Sequence, residues 1–203
     1  MNQKVSLTKD APRVSLDKSA ALSGRMRVNL NWNQFPDGRP SGWKSFFGGA
    51  AGIDLDLACL VEMADGEKGV IQALGDSFGS FSTYPYVQLD QDDRTGQSTD
   101  GENLFVNLDH FSEIKRLLVF TFIYEGAASW DKARGVVTVF PPTGSAIEVA
   151  LDDYAQGLPM CAIAMITNEG GNLVVNREVR YFDGHQSLDR AYGWGMSWVP
   201  GRK

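Results

Sequence analysis

The sequence is poor in cysteine and histidine, with two of each in 203 residues. Cys59 and Cys161 each lie inside an apolar run (57–61 and 160–166), with no CxxC pair and no His/Cys cluster. They therefore read as two reduced, buried thiols, and a zinc module or disulfide scaffold is excluded. His110 and His185 each sit beside a turn (Asp109-His110, Asp183-Gly184-His185), where surface or capping roles are expected. Positive charge is also short: 19 Lys and Arg stand against 25 Asp and Glu, giving net −6 and a pI near 4.9. Nucleic acid and anionic membrane surfaces need a basic footprint and are excluded as main partners, whereas cations are not. The longest nearly apolar run, 158–166, is far too short for a membrane span, and the first residues do not lead into an apolar signal core. A cytoplasmic location is the resulting expectation. No GxSxG elbow surrounds Ser23 or Ser145, and Gly48-Gly49-Ala50-Ala51-Gly52 is followed by no Gly-Lys-Ser/Thr. Serine-hydrolase and phosphate-loop chemistry both lack their motifs.

What is present is a succession of short strands. Apolar residues make up 43% of the chain and charged residues 22%, ordinary values for a packed core. The length suits one β-sandwich domain, 1–203. Val-Ser-Leu-Thr-Lys at 5–9 recurs as Val-Ser-Leu-Asp-Lys at 14–18, with Asp10-Ala11-Pro12 as turn chemistry between the copies, so a small strand pair is predicted. Met26, Val28, Leu30 and Trp32 alternate with Arg27, Asn29, Asn31 and Asn33, a half-buried strand whose apolar face includes Trp32. Further strands are predicted near 53–63, 69–75, 84–89, 103–108, 115–124, 135–140, 146–151, 159–167 and 172–182. Helical turns are predicted only at 108–114, 129–134 and 187–192. This pattern leaves no room for helices between strands, as a Rossmann-type fold needs. It predicts an all-β, two-sheet antiparallel sandwich with a few short helical turns. Residues 35–52, rich in Gly and Pro, exceed the usual loop length and read as an insertion.

The chemistry is concentrated in two acidic groups. Asp54 and Asp56 flank Leu55 within an apparently buried strand, where aspartate is normally depleted. They share one face, about 7 Å apart along the strand. Residues 90–102 hold Asp90, Asp92, Asp93, Asp100 and Glu102 against a single base, Arg94. Such a segment is either a solvated loop or one neutralised by a cation. A rigid strand-mounted pair and a glycine-containing loop together suit an oxygen-rich site, with calcium favoured over magnesium because it accepts six to eight mixed oxygens. An EF-hand is excluded by register: counting from Asp90, position 5 is Arg94, position 6 is Thr95 and position 12 is Gly101.

At these residues the chain resembles the bacterial TerD-like tellurium-resistance family of calcium-binding stress proteins. The opening Val5-Ser6-Leu7 and Val14-Ser15-Leu16 resemble its N-terminal strands, and Val28-Asn29-Leu30-Asn31-Trp32-Asn33 its V-x-L-x-W-D strand. Asp54-Leu55-Asp56 matches its D-L-D motif, and Asp92-Asp93-Arg94-Thr95-Gly96 its D-N/D-R/L-T-G motif. The resemblance implies a β-sandwich binding calcium in loops at one end of the sheets, with Asp54, Asp56, Asp92 and Asp93 as ligand candidates. Asp100 and Glu102 join them from the charge pattern. Two departures matter: Gln97-Ser98-Thr99 replaces much of the family's denser acidic run, and Asn33 stands where the family commonly has Asp. One calcium ion is therefore expected rather than two.

The resemblance implies a non-enzymatic, calcium-binding protein of a tellurite-resistance stress system, whose partners are calcium and other proteins of that system. The alternative from another class is a carbohydrate- or small-ligand-binding sandwich with structural calcium and a tryptophan platform, for which Trp43 and Trp198 are the open candidates. A metal-dependent hydrolase would need a carboxylate of raised pKa in a pocket beside Asp54 or His110.

Overall fold

The computed structural model describes residues 4–16, 22–33, 35, 52–90, 101–125, 130–152 and 157–199. In chain order the strands are β1 (Lys4–Leu7), β2 (Arg13–Leu16), β3 (Arg25–Asn31), β4 (Asp54–Met63), β5 (Lys68–Ile71), β6 (Gly79–Ser80), β7 (Val87–Leu89), β8 (Glu102–Asn107) and β9 (Ile114–Glu125). They continue with β10 (Val136–Phe140), β11 (Ala146–Ala150), β12 (Met160–Glu169) and β13 (Asn172–Phe182). The helical pieces are 3₁₀ turns at Leu74–Asp76 and Leu108–Glu113, a single turn α1 (Trp130–Ala133), and α2 (His185–Tyr192). Among the described residues no helix is long and apolar enough to cross a membrane.

The strands form two sheets, ordered β1-β11-β10-β3-β8-β7-β6 and β2-β13-β12-β9-β4-β5. Alternation puts Met26, Val28 and Leu30 of β3 in the interior, fully buried, opposite Leu55, Leu57, Cys59 and Val61 of β4. Both cysteines are free thiols in buried positions, and burial pushes the Cys59 pKa up. Trp32 lies at the rim of this core rather than inside it, because β3 ends at Asn31.

The second sheet is covered on both faces. Its outer side carries Ala58, Leu60, Leu118, Phe120, Phe122, Met160 and Ala162, packed beneath Leu188 of α2 and Trp194. Double coverage explains why β4 and β9 read as nearly continuous apolar runs rather than alternating ones. Asp189, 4% exposed, holds this cover in shape. It accepts hydrogen bonds from the Gly195 and Met196 amides at 2.7 and 2.9 Å and from the Trp198 indole at 3.0 Å.

Two expectations are corrected. The repeated Val-Ser-Leu segments do not pair with each other. β1 lies parallel to β11 in one sheet, and β2 antiparallel to β13 in the other, so the repeat opens both layers. Its Asp10-Ala11-Pro12 link is a crossover between sheets. The strand expected over 69–75 stops at Ile71, because residues 74–76 turn as 3₁₀ with Gly75 at φ 75°. The remaining predicted strands and all three helical turns are found, with ends displaced by up to three residues.

Candidate metal centre

β4 enters its sheet through an irregularity. Asp54 pairs with Glu125 and Leu55 with Ile123, leaving Tyr124 as an extra residue on β9. Such bulges bend a strand and re-aim its side chains. Among the described residues no strand pairs with the other edge of β4 at this end, because β5 pairs only with 59–62. Trp32 fastens the entry point, its indole N–H donating to the Ile53 carbonyl at 2.7 Å.

Glu102 arrives at this edge from the opposite sheet. It stands across from Leu30 in the β3–β8 register and so shares that residue's inward face. Its Oε2 accepts the Leu57 amide N–H at 2.5 Å, one residue beyond Asp56. Gly101 makes the approach possible: its φ is 69°, and a Cβ there would lie 2.0 Å from the Leu30 carbonyl oxygen. Only glycine satisfies both constraints. On the other arm, the Asp90 amide donates to the Asn103 carbonyl at 2.7 Å. The acidic connection therefore leaves β7 and returns to β8 on neighbouring, paired strands.

The register shows what β9 offers these acids. Opposite half-buried Asp54 is another acid, Glu125; opposite Asp56, 1% exposed, is Phe122. Like charges directly across an antiparallel pair destabilise it, and a phenyl ring offers a carboxylate no counter-charge. Glu62, at the far end of the same strand, is treated differently. It pairs across from Arg116 and bonds both Arg116 Nε at 2.5 Å and Lys115 Nζ at 2.8 Å. Burial alone would raise the Glu62 pKa, but these two cations outweigh it and hold the carboxyl below its ordinary value.

Of the candidate ligands, Asp54, Asp56 and Glu102 are described, and they come to one end of β4 from two sheets. Asp92, Asp93 and Asp100 lie outside the described residues, as do Trp43 and all of the 35–52 segment except Phe35 and Gly52. By alternation with inward Leu55 and Leu57, Asp54 and Asp56 take the outer face of β4, whereas Glu102 comes from the inner one, and among the described residues no three His, Cys, Asp or Glu side chains are placed to hold a metal ion. The donor chemistry is oxygen only, from carboxylates on two sheets, which fits a hard cation such as calcium.

The histidines stand apart from this centre. His110 follows the far end of β8, about 17 Å from Glu102 at strand rise. It stacks on Tyr86 at 3.8 Å and bonds Glu113 at 2.6 Å, so it is no partner for Asp54. His185 departs from the surface role expected of it. It is half-buried against Phe120, Phe122 and Trp198, with ring centroids at 5.8, 5.3 and 4.8 Å, and bonds Gln72 at 3.0 Å. Burial lowers its pKa. The Asp183-Gly184 turn was visible in the sequence, but the packing of α2 onto a sheet face was not. Sequence reasoning thus missed a cavity of about 450 Å³ lined by Gln72, Leu74, His185, Arg190 and Trp198. Its one available signal was the unassigned Trp198.

Known proteins resemble this chain in sequence and in fold. The chain is 47% identical, over 98% of its length, to tellurium resistance protein TerA from Alcaligenes sp. It spans 58% of that relative's length. A crystal structure of a homologue of the telluride resistance protein TerD from Streptomyces coelicolor A3(2) superposes with a TM-score of 0.57 at 24% identity, covering 81% of this chain and 94% of that one. A second crystal structure, of a protein of unknown function, superposes with a TM-score of 0.58 at 15% identity, covering 87% and 99%. No family model matches. Close sequence similarity to a tellurium-resistance protein and the shared sandwich agree: the chain belongs to the TerD-like tellurium-resistance family.

Proposed function

We propose that this protein binds one calcium ion at the Asp54 end of β4 and serves, without catalysis, in a cytoplasmic stress response of the tellurite-resistance type. Asp54, Asp56 and Glu102 form the strand-mounted half of the site. Asp92, Asp93 and Asp100, from the connection between β7 and β8, supply the other half. Calcium neutralises the acids, orders that connection and completes a surface at this end of the sandwich for another protein of the system.

One observation carries the proposal. β9 neutralises Glu62 with a cross-strand arginine, yet faces Asp54 with Glu125 and Asp56 with Phe122, while Glu102 is brought in from the other sheet. Carboxylates carried by β4 and β8 near the acidic 90–102 connection supply an oxygen-only donor chemistry, which is what a hard cation takes. The similarity to TerA supports the stress-response role.

The test is a thermal melt with excess calcium, with magnesium and with chelator. Calcium at about 100 times its dissociation constant adds roughly 2.7 kcal/mol, a rise on the order of 5–10 °C for a chain of this size. Magnesium should give much less, and Asp56→Asn should lose most of the calcium shift. Identical melts in all three conditions would overturn the proposal.

A further inference from the structure

The cavity on the outer face of the second sheet belongs to no part of the calcium reading. It opens between the 3₁₀ turn after β5 (Leu74), the start of α2 (His185, Arg190) and the tail residue Trp198, and its 450 Å³ is small-ligand size. One wall is aromatic and held in place. The Trp198 indole N–H is bonded to Asp189 at 3.0 Å, which fixes the ring, and His185 lies against it at 4.8 Å. His185 is itself backed by Phe120 and Phe122 and oriented by Gln72. The Gln72 amide nitrogen donates to the Leu74 carbonyl at 3.3 Å, so its oxygen faces the imidazole and accepts from Nε2–H. That wall is a preorganised stacking surface.

The lining also includes a guanidinium. Arg190 is exposed and pairs with no carboxylate among the described residues. Gly184 caps α2 without a side chain, so the first-turn amides beside the cavity gain no capping oxygen. Asp183 is also at the rim and equally exposed, so the lining carries one charge of each sign, and Asp183→Asn should tighten anion binding.

From this arrangement we infer that the cavity binds a small planar aromatic ring carrying one anionic group, the ring against Trp198 and His185 and the anion on Arg190. Neither feature suffices by itself. A ring without charge leaves Arg190 unused, and an anion without a ring gains nothing from the aromatic wall.

The experiment follows the Trp198 indole N–H signal by NMR, assigned with Trp198→Phe, during titration in calcium-containing buffer. The probes are phenyl phosphate and benzoate, with inorganic phosphate and benzamide as single-feature controls. Saturable shifts with a submillimolar Kd are expected for at least one aromatic anion, and the tighter of the two identifies the anionic group. Both controls should bind about tenfold more weakly or not at all, and Arg190→Gln should cost about tenfold while leaving the melt unchanged. No saturable shift from either aromatic anion, equal binding of benzamide, or full affinity in Arg190→Gln would each overturn the inference. The result is independent of the calcium site, because none of its candidate ligands lines the cavity.

Discussion

The two ends of β4 handle buried acid in opposite ways. At the Met63 end, Glu62 is 4% exposed and is neutralised within its own sheet by Arg116 and Lys115. Arg116 also stacks over Trp194 at 3.9 Å and donates to the Tyr192 carbonyl at 3.1 Å, binding the C-terminal cover to the sheet. At the Asp54 end, the same neighbouring strand presents Glu125 and Phe122, β5 has already ended, and a third carboxylate arrives from the other layer. The first end is a structural joint. The second is where the proposed calcium would bind.

Breaking the joint should produce the largest loss of stability. Arg116→Ala removes one cation of a buried ion pair together with the Trp194 stack, and about 3 kcal/mol or more of unfolding free energy should disappear in urea titration. A loss under 1 kcal/mol would mean that Lys115 alone suffices. Asp189→Asn comes next. It removes the charge behind three hydrogen bonds, costs about 2 kcal/mol, and should loosen Trp198 visibly in near-ultraviolet circular dichroism. Neither variant should change calcium binding.

Acid sharpens the contrast further. The Glu62 pKa is held below its unfolded value, so its contribution is full above the ordinary carboxylate range and is lost as pH falls through the lowered folded value. His185 is also lowered, by burial, so protonation opposes folding and stability begins to fall once pH drops below the ordinary histidine range. A modest decline in melting temperature between pH 7 and pH 5 should be absent in His185→Gln. The smallest effect belongs to Asp54→Asn without calcium. Relieving its opposition to Glu125 should leave the chelated protein unchanged or more stable by less than about 1 kcal/mol. A clear destabilisation would make Asp54 a structural residue.

The sandwich was legible because period-2 alternation at 26–30 and the apolar runs of β4 and β9 report burial directly. The pairing of β1 and β2 was not legible. Two near-identical pentapeptides cannot specify that one runs parallel to β11 and the other antiparallel to β13, since partner choice lies in distant strands. Of the candidate site, the Asp54–Asp56 pair was visible as aspartate in a strand. The reach of Glu102 to the Leu57 amide was not, because it depends on Gly101 passing against Leu30. The aromatic setting of His185 was hidden for a similar reason: its partners come from β9, the turn after β5 and the tail.

The central claim is that the Asp54 end of β4 is completed by a cation, and calorimetric titration of the chelator-treated protein with calcium tests it most directly. The account predicts saturable binding of one calcium per chain, much weaker binding of magnesium, and loss of binding in both Asp56→Asn and Glu102→Gln with Arg116→Ala unaffected. No heat at millimolar calcium, or full binding in both carboxylate variants, would contradict it.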